Sequence, residues 1–164
     1  MALIPGNWLA LFPGNQVALI NGNRVALISG NFIPTRNVQF VSDNFMLGVV
    51  NGETKDFFVL LKMRSITDIF NSMREWEKKI FANLHGFFGI ELSPETNYLL
   101  TADFEDGIVD NKNARFLYFK ENDDGERRVA MMYVFAGDSS VIITGTIESA
   151  HEIMLRLAAS QIKK

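Results

Sequence analysis

The chain has two histidines, His85 and His151, and no cysteine. Neither histidine has a carboxylate or second imidazole at the spacing of a recognised metal motif. Each is expected at a surface or a helix end. The missing thiols remove disulfides, thiolate nucleophiles and zinc-finger sites together and leave the redox compartment open. Asp103, Glu105, Asp106 and Asp110 surround Gly107 and superficially resemble an oxygen-rich calcium loop. They lack the alternating ligands and the distant bidentate glutamate of an EF-hand, and a solvated loop accounts for them as well. Ser139 and Ser140 sit in a turn without a Gly-x-Ser-x-Gly elbow, and a hydroxyl with no base beside it is not a nucleophile. Repeated Gly-Asn pairs near the start have neither a Walker lysine nor a helix after them. These residue types point away from an enzyme and call for no cofactor.

The elements that would position such groups are legible from periodicity. Phe45-Met-Leu-Gly-Val-Val50 and Asp56-Phe-Phe-Val-Leu-Leu61 flank Asn51-Gly52, the strongest short hairpin signal, and Val38 to Val41 is a further strand. Ser65 is an N-cap candidate with Asp68 three positions on. From there Ile66, Ile69, Phe70, Met73, Trp76, Ile80, Phe81 and Leu84 recur at steps of three and four, the mark of one buried helical face. Arg74, Glu75, Glu77, Lys78 and Lys79 form its solvated flanks, and Gly86 is expected to end it. Phe104 to Val109 is a short strand or turn. Ala114–Phe119 and Arg128–Phe135 are strands joined through Asn122-Asp-Asp-Gly125, and Val141–Thr144 is another after Gly137-Asp138. A second helix starts near Thr146, with Ile147, Ala150, Ile153, Met154, Leu157 and Ala158 on one face. The order β-β-α-β-β-β-α with short turns predicts an α+β domain over residues 38–164: an antiparallel sheet with two amphipathic helices.

Ahead of it, residues 1–33 form a fourfold octapeptide repeat, and residues 34–37 a linker. In register the octads begin at Ala2, Ala10, Ala18 and Ala26, and Ala, Leu, Gly and Asn recur without a miss. Arg24 is the one charged residue there, although charged residues make up 21% of the chain. Each octad divides into a short strand and a Gly-Asn turn, which places Ile20 opposite Val25 and Ala18 opposite Leu27 on one face. Val17, Leu19, Ala26 and Ile28 occupy the other, so both faces are apolar where a surface sheet would show one polar side. Pro5 and Pro13 sit awkwardly beside such turns, and a β-solenoid is the other arrangement the period allows. Helix is excluded by glycine and proline at this spacing, and no run reaches the roughly 18 to 20 apolar residues of a membrane span. The Gly-Asn punctuation and the lack of a basic start argue against a secretory signal.

The run Phe58–Ser65, the helix Met73–Lys79 with Leu84 and Phe87-Phe-Gly89, the run Asp110–Arg115, and Tyr133–Phe135 through Val141–Thr144 carry a resemblance. Residues of about 45–160 resemble an uncharacterised domain found at the C-terminal, extracytoplasmic end of single-pass membrane proteins of ultra-small candidate-phyla bacteria. The resemblance implies an outward-facing, non-catalytic domain at the cell surface, and it carries over no functional residues. Where that family places a membrane helix, this chain has its octads, which would replace the anchor as the means of attachment.

A net charge of −3 with scattered basic residues gives no electrostatic case for nucleic acid. Apolar burial within the ribbon falls short of the backbone entropy lost on ordering it, so it must lie on its own domain or on copies of itself. The expectation is a structural protein that self-associates through the repeat into a filament or surface assembly, with Leu3, Trp8, Leu11, Leu19, Leu27 and Phe32 as subunit-interface candidates. The alternative is a monomeric extracytoplasmic binding or interaction domain whose repeat completes its own sheet, with a pocket near Trp76 or Tyr133.

Overall fold

The computed structural model describes residues 8–12, 16–21, 24–29, 41–51, 55–63, 69–121, 125–137 and 139–161. In the octads, β1 (Trp8–Phe12), β2 (Gln16–Asn21) and β3 (Arg24–Ser29) form an antiparallel meander of their own, in the order β1-β2-β3. Ala18 pairs with Leu27 and Ile20 with Val25, the register expected of a two-residue turn, and Asn21 pairs with Arg24. The first hairpin is different: Phe12 pairs with Gln16, leaving three residues between the strands. Pro13 stands where the next octad has Asn21, and proline has no N–H to return across a tight turn. Leu3, Phe32 and the linker lie outside the described residues. Among the described residues β1, β2 and β3 make up a three-stranded sheet distinct from the main one.

The main sheet has six antiparallel strands, β4 (Val41–Asn51), β5 (Lys55–Met63), β6 (Glu105–Val109), β7 (Lys112–Tyr118), β8 (Val129–Gly137) and β9 (Ser140–Thr144). Their order is β4-β5-β9-β8-β7-β6. Helices α1 (Ile69–Leu84) and α2 (Ile147–Gln161) complete the α+β domain. The hairpin β4–β5 leads into α1, the meander β6 to β9 follows, and β9 closes the sheet against β5. Between β5 and β6 lie four strand spacings, about 19 Å. The 16 residues of α1 span about 24 Å, enough to carry the chain across that face.

Each face carries one helix. Met73, Trp76, Ile80, Phe81 and Leu84 of α1 pack on Val59, Leu61, Met131, Tyr133, Val141 and Ile143. Ala150 and Ile153 of α2 pack on the opposite side, against Phe116, Met132 and Val134 and against Phe58 and Ile142. This explains why β8 is apolar throughout: a strand covered on both sides has no polar positions to alternate with.

Several boundaries differ from expectation. Phe45–Val50 belongs to a longer strand with an irregular register between Val41 and Phe45. Gly86 does not stop α1; the helix tightens into a 3-10 turn over His85–Phe88, and Gly89, at φ 68°, is the left-handed terminator. Phe70 is not core but half exposed, its ring tilted at 37° against Phe135 with centroids 4.3 Å apart. Of the strand or turn expected over Phe104–Val109, the structure has the strand, β6, joined to β7 in a hairpin closed by Asp110 (φ 49°) and Asn111 (φ 60°). Both adopt the left-handed conformation of a type I′ turn, which short Asx side chains tolerate. Ser65, Ile66 and Asp68 lie outside the described residues. α2 starts beside Thr146 as expected, and Thr146 caps it, its Oγ1 accepting the Ser149 N–H at 3.2 Å. Asp56 of β5 anchors the same helix end, accepting from the hydroxyls of Thr146 and Ser149 at 2.7 and 2.8 Å.

Candidate functional site

Strand pairing lays one row of residues across the α1 face: Asp106, Arg115, Tyr133, Ile143, Val59 and Leu47, each the register partner of the next. The row is apolar in the middle and becomes charged towards the β6 edge. Phe70, Arg74 and Glu77 lie at steps of four and three along α1 and so share one side of that helix, the side that meets this charged end. Between them runs an open cleft of about 680 Å³, lined by Phe70, Arg74, Asp106, Ile108, Arg115 and Phe135 among others.

Arg115 organises its floor. Its Nε and Nη2 donate to Glu77 Oε1 and Oε2 at 2.8 and 3.1 Å, a bidentate pair. Tyr133 donates its hydroxyl to Glu77 Oε1 at 2.7 Å. The Arg115 and Glu77 side chains are only 12% and 13% exposed. On the outer side Arg115 Nη1 donates to Asp106 Oδ1 at 2.8 Å, and Arg74 Nη2 reaches the same oxygen at 3.3 Å. Hydrogen bonding to Glu77 holds the Arg115 pKa above its ordinary value. Burial, aided by the bond to Glu77, pushes the Tyr133 phenol well above the usual tyrosine range. Both groups therefore keep their protons at neutral pH, and what they offer a ligand is fixed charge and hydrogen-bond direction. Asp106 is the opposite case: the Arg115 hydrogen bond, with its charge and that of Arg74, pulls the carboxyl below its ordinary value of 3.8. Its stabilising contribution is then present above about pH 4 and is lost as pH falls through the depressed folded-state value. In a carboxyl carbon NMR titration Asp106 is expected to show its inflection below 3.8 and to move up towards it in high salt, where exposed pairs are screened. An unshifted inflection would mean that the arginines do not hold it.

The acidic residues that superficially resemble a calcium loop are dispersed by the β6–β7 hairpin. Asp106 turns to Arg115 and Arg74, Glu105 to Arg127, and Asp110 to His151. Among the described residues no group of three potential ligands converges on one point. His85 opens the 3-10 turn that follows α1, its Nδ1 2.7 Å from the carbonyl of Ile90, and His151 is exposed on α2. Trp76 is buried in the core away from the cleft, and its Nε1 finds no acceptor among the described residues. Tyr133 is among the residues that line the cleft. Trp8, Leu11, Leu19 and Leu27 fall on β1, β2 and β3, far along the chain from this cluster. Helical periodicity alone puts Glu77 among the solvated flanks, and no local motif singles out Arg115. Glu77 differs from its charged neighbours only in lying one and four residues from Trp76 and Met73, at the border of the buried stripe, which is a weak signal. No family model, curated protein or solved structure matches this chain.

Proposed function

We propose that this is a non-catalytic structural protein that self-associates through its N-terminal β repeat into a filament or surface assembly. The supporting observation is that β1, β2 and β3 pair with one another alone, so among the described residues the outer edges of β1 and β3 carry no partner strand. Those edges belong to strands whose two sets of facing positions are both apolar: Ala18, Leu27, Ile20 and Val25 on one, Val17, Ile28, Leu19 and Ala26 on the other. Soluble proteins disguise such edges with charge, proline or short strands; here a copy of the same strand is the natural cover. An extracytoplasmic placement follows from the resemblance of residues 45–160. No helix among the described residues is long and apolar enough to cross a membrane.

The test is the mass of the full chain by light scattering after size-exclusion chromatography, with electron microscopy of the same fractions. Assemblies well above 18.5 kDa are expected, and Leu11→Glu, Leu19→Glu and Leu27→Glu combined should return a monomer with unchanged circular dichroism. In a Trp76→Phe background Trp8 is the remaining indole, and its emission should shift to the blue as subunits associate. A monodisperse parent monomer would end the proposal.

A second reading, a monomeric binding domain, is favoured by two observations. Backbone positions of β1 and β2 come within 8 Å of β4, which would let the repeat rest on its own domain, and the cleft beside Arg115 is of ligand size. In that case the triple glutamate variant would misfold rather than dissociate.

A further inference from the structure

The inner and outer halves of the Arg115 cluster are built differently. Glu77 is nearly buried and spent on Arg115 and Tyr133. Asp106, by contrast, is 80% exposed, and it sits at the mouth of the cleft with a guanidinium from Arg115 and another from Arg74 directed at it. A carboxylate that open to water can turn away, and the two donors would then face the cleft. Beside this ion pair stand two large apolar side chains left in solvent, Phe70 at 52% and Ile108 at 71% exposure. Single exposed apolar residues are ordinary, but two lining one cleft with convergent polar donors form a recognition surface.

We propose that this cleft binds a small monocarboxylate with an aromatic or branched apolar body, its carboxylate replacing Asp106 between Arg74 and Arg115 and its body lying against Phe70 and Ile108. Charge selects the class. Arg74 and Arg115 are balanced by Glu77 and Asp106, so exchanging one carboxylate for another keeps the cluster neutral, whereas a cation would leave two like charges together and a dianion would overfill the site. Planar guanidinium forks suit carboxylate geometry, and the volume of about 680 Å³ falls within the usual range of small-ligand sites. This site is separate from the repeat and does not depend on assembly.

The test uses the full chain with 3-phenylpropionate as probe and 3-phenylpropylamine as its cationic match, read by saturation-transfer NMR and equilibrium dialysis, which work on monomers and assemblies alike. Saturable binding of the acid and none of the amine is expected. Asp106→Asn removes the internal competitor while keeping the side chain's shape and should tighten binding on the order of tenfold, the gain when a mostly occluded site becomes mostly open. Arg74→Gln should weaken it about fivefold. Both positions are exposed, so folding is not at stake. Absence of acid binding, equal binding of the amine, or unchanged affinity in Asp106→Asn would overturn the proposal.

Discussion

Glu77→Ala is expected to destabilise the domain by about 3 kcal/mol, because it leaves the Arg115 guanidinium largely buried without its bidentate partner and strips the acceptor from Tyr133. An exposed helix glutamate would cost a few tenths at most, so the measurement separates the two descriptions of this residue by a wide margin. In thermal unfolding the loss should appear as a midpoint lowered by roughly 10 °C. The penalty comes from a stranded charge rather than from a lost attraction, which has a further consequence. Replacing both partners, as in Glu77→Leu with Arg115→Met, should recover much of the stability, since an apolar pair of similar volume carries no desolvation cost. A single variant within about 0.5 kcal/mol of the parent would show that the pair is an ordinary surface contact.

Met131→Ala and Met132→Ala are each expected to cost about 3 kcal/mol. These neighbours in β8 point to opposite faces of the sheet, and both are fully buried: Met131 belongs with α1, Met132 with Phe116 and Ala150 of α2. In a sheet with one wet face, successive residues alternate between core and solvent, and one of the two substitutions would be nearly neutral. Equal, large losses by chemical denaturation are therefore the signature of a helix on each face. If one variant unfolds like the parent, the layer on its side is not packed.

The cleft is poorly legible in the sequence for the same reason that Glu77 is. Helical periodicity distinguishes a buried stripe from its flanks, but a residue at the border can turn either way depending on what the sheet presents beneath it. Asp106 and Arg115 are nine positions apart and look like members of an acidic loop and a strand. Only the turn at Asp110 and Asn111, with both residues left-handed, folds them onto one cross-strand pair. The Asp-Asn dipeptide was a usable sign of that turn, weaker than Asn51-Gly52 because neither residue is glycine.

What the linear order determined by itself was local: the α+β class, the pairing of β4 with β5 as a hairpin, the stripe of α1 through Met73, Trp76, Ile80 and Leu84, the start of α2 beside Thr146, and the pairing of Ala18 with Leu27. Each depends on propensity or on spacing within a few residues, where backbone geometry leaves little choice. Tertiary structure decided the rest: that β9 returns to pair with β5, that the helices take opposite faces, and that Arg115 gathers Glu77, Asp106 and Tyr133 around it. These depend on contacts beyond the reach of local spacing, from nine positions between Asp106 and Arg115 to 38 between Glu77 and Arg115, and no local rule sets which distant partner desolvates a given charge. That choice is made by packing the whole sheet at once.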